Sequence, residues 1–484
     1  MMEPRKLVGR HSQLRRFDEL LASRQPIFLA VHGRRRVGKT FLIREGLKEN
    51  ITLELVGMKD GPLRNQLENF ALALGKASAG NFPEKGVPKS WPEAFRELEA
   101  WGETLSTERK HVIFFDELPW LAGPRSRFLP ALDHFWNSWG SRQNNLILVV
   151  CGSAASWMIR KLLHDKGGLH NRVTHQMRLE PFDLAESREL LQSRGVSLTD
   201  YQVIELYMAF GGVPLYLEQA RRGESATQII DRVCFSREGL LRDEFSKLYP
   251  ALFDSPERHV QIVRALAAKS AGLTRNEIAA ATKQSPSGRL TTTLDELRES
   301  DFIRSSAPYG KRAKDTIYRL ADEFSLFHLR WMERWRGDAS GGWQKMRGTP
   351  KWRAWSGLAF ETLCFKHISQ IKAALGIAGV STETASWLYR PSDKAETGAQ
   401  IDLLIDRADA CINLCEMKFS EAEFVIDKRY AKQLRERRET FRRITKTRKN
   451  AFHTFVTISG VKDNDYAREL VDSSVGMKAL FEPS

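Results

Sequence analysis

Hydrophobic and polar positions follow two regimes along the chain. Up to about residue 180, short apolar runs alternate with segments whose apolar residues recur every three or four positions. The runs at 27–31, 51–56, 112–115 and 146–150 have strand length, and the segments around 94–105 and 129–139 carry helical spacing. The first run ends in a Gly-rich turn and continues as a helix over 41–47. Strand and helix in alternation predict an α/β core over residues 1–182, a parallel sheet with helices on both faces.

From about Asp183 the strand pattern stops. Helical spacing at 186–192, 201–210 and 214–221 predicts an all-helical lid over 183–250. After Ser255-Pro256 a helix is expected over 259–268, with Val260, Val263 and Ala267 on one face. Thr274-Arg275-Asn276-Glu277 is a capping box that opens a second helix, and 287–299 reads as a third. Two strand-like stretches, 302–305 and 316–320, flank a Pro/Gly turn and form a hairpin. Three short helices followed by a hairpin is the winged-helix order, expected over 251–336. Gly-Asp-Ala-Ser-Gly-Gly at 337–342 marks a linker over 337–350, and a further α/β segment fills 351–484.

Composition narrows the partners. Hydrophobic residues are 42% and charged residues 28% of 484, ordinary for a chain with packed cores, so wholesale disorder is excluded. Lys and Arg total 75 against 60 for Asp and Glu, and the net charge of +15 favours a polyanionic partner such as DNA. The longest apolar runs fall well short of the roughly 18 residues of a membrane span, and the N-terminus lacks an apolar signal core. The five cysteines (Cys151, Cys234, Cys364, Cys411 and Cys415) read as reduced, buried thiols of a cytoplasmic protein.

Chemistry enters at Gly33-Arg34-Arg35-Arg36-Val37-Gly38-Lys39-Thr40, which fits G-x-x-x-x-G-K-[ST] between a strand and a helix. The glycines let backbone N–H groups curl around a phosphate, and the helix N-terminus adds partial positive charge. Lys39 is the residue type that reaches β- and γ-phosphates, and the Thr40 hydroxyl suits Mg2+. The strand at 112–115 leads into Asp116-Glu117: Asp116 is expected at the metal's shell, and Glu117 beside the water that attacks the γ-phosphate. These two acids are expected to face the loop from a neighbouring strand. Ser153, at the tip of the strand ending Cys151-Gly152, is the expected γ-phosphate sensor, and Arg172 the expected cation for the transition state.

In order along the chain, Val8-Gly9-Arg10, the phosphate loop, Phe115-Asp116-Glu117, Gly152-Ser153 and Gly212-Val213-Pro214 resemble the archaeal-type ATPases of the STAND branch of AAA-like P-loop NTPases, over about residues 5–335. The resemblance implies ATP as cofactor, a winged helix after the lid, a nucleotide-sensing Pro214, Arg10 near the base or ribose, and alternation between nucleotide states. A homo-oligomer is compatible with the sequence, which does not fix the oligomeric state.

A second constellation lies near the C-terminus. Glu361 sits on an amphipathic helix, Asp402 in the apolar run 400–405, and Glu416-Met417-Lys418 at the end of the run 411–419. Period-2 geometry puts Glu416 and Lys418 on one face of their strand. Carboxylate oxygens suit Mg2+, with Asp402 and Glu416 as the ligands and Lys418 placed to activate water. The pattern resembles the PD-(D/E)XK, restriction-endonuclease-like fold attached to archaeal-type ATPases, with Glu361, Asp402, Glu416 and Lys418 at the four signature positions. Ile401 stands where that family has Pro, and Tyr430 and Gln433 match an accessory pair. The basic stretch from Lys428 to Lys449, with Arg275, Lys283, Arg289, Lys311, Arg312 and Lys314 in the middle segment, suits a phosphate backbone. A nucleotide-gated scaffold with a catalytically silent C-terminal module is the competing reading.

Overall fold

In the computed structural model the described residues are 6–84, 86–123, 125–164, 169, 171–311, 315–335, 337, 341–389, 391 and 398–483. The wing positions Arg312 and Lys314 lie outside them. The chain divides into two compact units, Met1–Pro181 with Asp295–Ser300, and Phe182–Leu294 with Asp301–Ser484.

The first unit holds α1 (His11–Ala22), β1 (Ile27–His32), α2 (Lys39–Gly46), β2 (Ile51–Val56), α3 (Leu63–Ala77) and α4 (Trp91–Gly102). It continues with β3 (His111–Asp116), α5 (Leu118–Leu121), α6 (Phe128–Ser138), β4 (Leu146–Gly152), α7 (Ala155–Met158) and β5 (His175–Arg178). The five strands form a parallel sheet in the order β2-β3-β4-β1-β5. Burial follows that order. β1, β3 and β4 are buried throughout and apolar but for His32, His111 and Asp116, whereas β2 and β5, at the edges, are only partly buried.

The alternation of side chains splits this sheet into two cores. Phe28, Ala30, Ile113, Phe115, Leu148 and Val150 face α3, α4 and α6. Ile27, Leu29, Val31, Val112, Phe114, Ile147 and Val149 face α1 and α2. Each such side chain contributes about 1.5–3 kcal/mol when fully buried. These cores fix where the strand ends, and hence the loops that follow them, can sit.

Two features differ from the sequence reading. β4 lies between β1 and β3, so Asp116 and Glu117 come from the strand beyond the loop strand's neighbour rather than from that neighbour. β3, β4 and β1 are all paired on both edges, so their apolar character marks them as interior without ordering them. β5 adds a strand at 175–178; its sequence, His-Gln-Met-Arg, is polar because it sits at an edge, where hydrophobic patterning is weak.

In the second unit α8 (Leu184–Ser193), α9 (Asp200–Phe210), α10 (Pro214–Leu217), α11 (Ala226–Ile230) and α12 (Glu244–Leu248) are followed by α13 (Pro256–Ala267), β6 (Leu273–Thr274) and α14 (Arg275–Thr282). Then come α15 (Gly288–Glu299, whose last turn belongs to the first unit), β7 (Ile303–Ser306) and β8 (Ile317–Leu320). α14 opens on the expected capping box, with the Thr274 and Glu277 side chains each accepting from the other's backbone N–H. The short strands form an antiparallel sheet, β6-β8-β7.

Next are α16 (Glu323–Phe327) and α17 (Gly342–Met346), the latter inside the stretch read as a linker. α17 is packed rather than free because Trp343 is apolar and large. It is 2% exposed among Phe235, Phe327, Trp331 and Trp355, and its N–H donates to Asp231 at 2.6 Å.

The last segment runs α18 (Pro350–Lys366), α19 (Ile368–Ala374), β9 (Thr382–Tyr389), β10 (Ala399–Arg407), β11 (Cys411–Lys418), α20 (Lys428–Thr445), β12 (Asn450–Thr457), α21 (Asp465–Leu470) and β13 (Ser473–Gly476). Its sheet has the order β13-β12-β11-β10-β9. The pairs β9/β10 and β10/β11 are antiparallel, and β11/β12 and β12/β13 are parallel. α20 packs Phe441 on one face, against Trp387, Leu404, Ile412 and Leu414.

Candidate functional site

The strand-to-helix turn after β1 is shaped by two glycines. Gly33 has φ of 148°, and a Cβ there would stand 2.2 Å from the Leu179 carbonyl oxygen, so no side chain fits. Gly38 has φ of 90° and is the N-cap of α2, with no side chain bonded to the helix's first N–H groups. The amides that a cap would satisfy are thus left to point out of the turn, the arrangement that suits a phosphate. Val37 anchors the loop, 1% exposed in the α1/α2 core. Of the three arginines, Arg34 is fully buried, while Arg35 and Arg36 are half-buried.

Lys39 is buried at the start of α2, and its Nζ donates to the Gly33 and Arg34 carbonyls at 2.9 and 2.8 Å. Burial lowers its pKa; Cys151, Glu117 and Asp116 nearby oppose that shift. The Thr40 hydroxyl donates to Asp116 Oδ2 at 2.8 Å, and Asp116 Oδ1 accepts the Glu117 N–H at 2.9 Å. A hydroxyl and a carboxylate joined in this way are hard oxygen donors, the set that Mg2+ takes, so these residues fit that ion.

Glu117 occupies the left-handed region, φ 48° and ψ 49°, a costly conformation for a residue with a long side chain. Its carboxylate is held by Ser153, whose Oγ donates at 2.9 Å to the two oxygens and whose N–H donates at 3.3 Å. Ser153 therefore lies against Glu117. Gly57 accommodates this turn: a Cβ there would meet the Glu117 carbonyl at 2.7 Å.

Arg10 is buried, with Nη2 donating to the Val37 carbonyl at 3.0 Å, so it braces the loop's backbone. Arg172 lies 3.9 Å from Asp133 on α6 and is about half exposed. Pro214 belongs to the second unit, at the first turn of α10. There Gly212, at φ 67°, accepts the Phe182 N–H at 2.8 Å and leaves no room for a side chain.

The C-terminal acids lie around Lys418, which is ion-paired with Glu416 and acts on Glu361 and Asp402. Glu416 accepts from the Tyr430 hydroxyl at 2.7 Å, is ion-paired with Arg437, and lies 3.3 Å from Lys418 Nζ. Glu361 and Asp402 line one cavity with Arg304 of β7 and Arg319 of β8. Burial, then the Asp402 charge, raises the Glu361 pKa to about 7, against the pull of Lys418 and the two arginines. Gln400 Nε2 donates to Asp402 at 2.5 Å. Among the described residues no group of three or more His, Cys, Asp or Glu side chains is gathered as a metal site. Arg304, Arg319 and Arg437 carry no signal in the sequence that joins them to these acids, because each is brought there by packing of distant elements.

Of the basic stretch after residue 428, Lys432, Arg435, Arg437 and Lys449 pair with Glu436, Glu469, Glu416 and Asp406. Cys151, Cys234, Cys364 and Cys415 are buried and Cys411 is half-buried; all are free thiols. No helix among the described residues is long and apolar enough to cross a membrane.

An uncapped helix N-terminus behind a Gly-bounded loop, with Thr40 on Asp116 and Glu117 alongside, defines a P-loop ATPase domain. Residues 7–220 match the family model described as "ATPase domain predominantly from Archaea". An uncharacterized protein of Methanocaldococcus jannaschii, MJECL04, is 23% identical over 327 residues, 67% of this chain and 68% of that protein. A Walker-type ATPase of Pyrococcus abyssi is 22% identical and matches with a TM-score of 0.48, over 68% of this chain and 99% of the other. The ORC2 protein of Aeropyrum pernix, in complexes with ADPNP and ADP, is 13% identical with a TM-score of 0.42, over 72% and 96%.

Proposed function

We propose that the chain is a Mg2+-dependent ATPase of the STAND branch that couples its nucleotide state to DNA at the C-terminal sheet. The observation that carries the first half is Glu117, held in a costly backbone conformation by Ser153, next to an Asp116 already bonded to Thr40. Strain of this kind persists where the surrounding structure over-determines it, and it clusters at active sites. The loop amides and Lys39 bind the β- and γ-phosphates; Lys39 exchanges its two loop carbonyls for phosphate oxygens. Thr40 and Asp116 would hold Mg2+, which would supply charge neutralisation on those oxygens. Glu117 takes the proton of the attacking water as its oxygen bonds the γ-phosphorus and the bond to the β-phosphate oxygen breaks, giving ADP and inorganic phosphate. Ser153 orients Glu117 for that step, and Arg172 and Pro214 serve the transition state and the lid.

For the second half, the α13–α14–α15 and β6-β8-β7 arrangement supports a winged helix over 251–336. The α18-β9-β10-β11-α20-β12 order supports a PD-(D/E)XK-like module over 351–484. The boundaries 1–182, 183–250 and 337–350 complete the organisation, in a cytoplasmic protein able to form homo-oligomers. Asp402 and Glu416 are its metal ligands, with Glu361 and Lys418 beside them.

The scaffold reading, with a silent C-terminal module, draws support from a specific observation. Glu416 already carries Arg437, Tyr430 and Lys418, which compete with a divalent ion for its oxygens. One experiment separates the two. ATP turnover and cleavage of labelled DNA are followed together in Mg2+ or Mn2+, for the wild type, Lys39→Ala and Asp402→Ala. Cleavage lost only in Asp402→Ala supports the nuclease; turnover without any cleavage favours the scaffold; turnover that survives Lys39→Ala removes the loop from the mechanism.

A further inference from the structure

The Glu361/Asp402 pair has two sides of different character. On one, Arg304 and Arg319, with Leu266, Leu320 and Leu326, close over the carboxylates and leave about 20 Å³, room for about one water. On the other, a cleft of about 450 Å³ starts at the same two carboxylates and is lined by Arg330, Lys351, Arg353 and Gln400. Arg330, Lys351 and Arg353 are exposed, so the cleft opens to solvent along a basic wall. Its size is that of a small-molecule site.

Of the α20 cations, Lys432, Arg435 and Arg437 are spent on carboxylates, while Lys428, Arg429 and Arg442 stay exposed. Arg330, Lys351 and Arg353 are not ion-paired among the described residues. Arg330 gives one N–H to the Ala267 carbonyl at 2.9 Å, and Lys351 lies 4.4 Å over the Trp331 ring, which sets its direction along the wall. The Trp352 N–H at the start of α18 is taken by the Thr349 hydroxyl, so the wall is made by side chains and not by a helix terminus. Two acids at the inner end repel a multiply charged terminal phosphate. A backbone diester carries one charge per phosphate and is repelled less, while successive cations along the wall attract successive diesters.

We propose that this cleft seats a single-stranded nucleic-acid segment, with Arg330, Lys351 and Arg353 on consecutive backbone phosphates and one phosphodiester delivered to Glu361 and Asp402. The assignment rests on the reading of the C-terminal sheet as a nucleic-acid-directed module. It makes the cleft, rather than the basic helix α20, the phosphate track, and its volume of about 450 Å³ suits a single strand and not a duplex.

The test uses the full chain and a fluorescein-labelled single-stranded 12-mer, with binding read by anisotropy across a salt series. The Lys351→Glu/Arg353→Glu pair is expected to weaken binding at least tenfold. It should also flatten the slope of log K against log salt by about 1.4, the share of two single-strand phosphate contacts. Arg429→Glu/Arg442→Glu, at exposed positions of α20, is expected to stay within threefold of wild type. Lys351→Arg/Arg353→Lys should restore the wild-type slope. If charge reversal lowers the thermal midpoint, Lys351→Gln/Arg353→Gln provides the same contrast. Equal losses from both helices, tighter binding of a duplex than of the 12-mer, or displacement of the 12-mer by equimolar mononucleotide would each overturn the cleft while leaving a nucleic-acid role standing. Failure of the wild type to bind any oligonucleotide overturns both.

Discussion

The phosphate loop and the C-terminal carboxylate cluster solve opposite electrostatic problems. The loop is built from backbone: Gly33 and Gly38 take conformations that leave amides pointing outward, and α2 begins without a side-chain cap. Lys39, one of its two buried cations with Arg34, rests on neutral carbonyls, weak partners that a phosphate oxygen outcompetes. The carboxylate cluster is built from side chains of elements far apart in sequence, and ions face its charges from within: Glu416 pairs with Arg437 and Lys418, while Arg304 and Arg319 pull on Glu361 without offsetting its burial and the Asp402 charge. A site whose charge is met by neutral dipoles is poised to bind. One whose charge is met by ions must first give something up.

That contrast can be broken most sharply at Lys39. Lys39→Ala should lower ATP turnover about a thousandfold, read by phosphate release, because a buried donor to the transferring group is removed. Next is Glu117→Gln, expected to reduce turnover about a hundredfold while ATP affinity, measured with a fluorescent analogue, is kept. Affinity lost in parallel would mean that Glu117 holds the loop rather than the water.

The carboxylate side is read by stability. Glu416→Gln leaves Arg437 and Lys418 without their counter-charge, and urea unfolding should show a loss of about 3 kcal/mol. An unchanged midpoint would show that the cluster is not internally satisfied. Ser153→Ala should then cut turnover about tenfold, with Ser153→Thr restoring most of it, since the hydroxyl is what touches Glu117. The smallest effect concerns Glu361. Its raised pKa means that the native chain holds a proton the unfolded chain releases, so this group makes stability fall as pH rises from about 4.5 to about 7. Glu361→Gln, which cannot ionise, should lose that fall, seen as the difference between the two thermal-midpoint profiles.

The two sites were also unequally legible in the sequence. The loop is eight contiguous residues, Thr40 the last of them, so spacing alone locates it, and Asp116 and Glu117 follow from a strand end. The Ser153 position was readable, but its contact was not: the sequence places it toward a phosphate, and the fold lays it on Glu117. Sheet order escaped the reading because an apolar run such as β4 states that a strand is buried, not which strands flank it. At the C-terminal site the four signature residues could be picked out by pattern. Arg304, Arg319 and Arg437 could not, in a chain with so many arginines, because only tertiary packing selects which of them reach a carboxylate. The same holds for Lys351 and Arg353, ordinary charges on a helix until the cleft beside them is seen. Trp343 is a further case: Gly and Ser around 337–342 announce a linker, and the sequence does not show that the aromatic just after them is buried.

The central claim is that the turn after β1 cups a nucleotide triphosphate beside Asp116 and Glu117. Titration calorimetry of the full chain with ATP in Mg2+, run side by side with Lys39→Ala and followed by phosphate release from the same samples, tests it most directly. Saturable binding and turnover in the wild type, both abolished in Lys39→Ala, is the result predicted here. Absence of binding in the wild type, or equal heats and turnover in the two proteins, would contradict it.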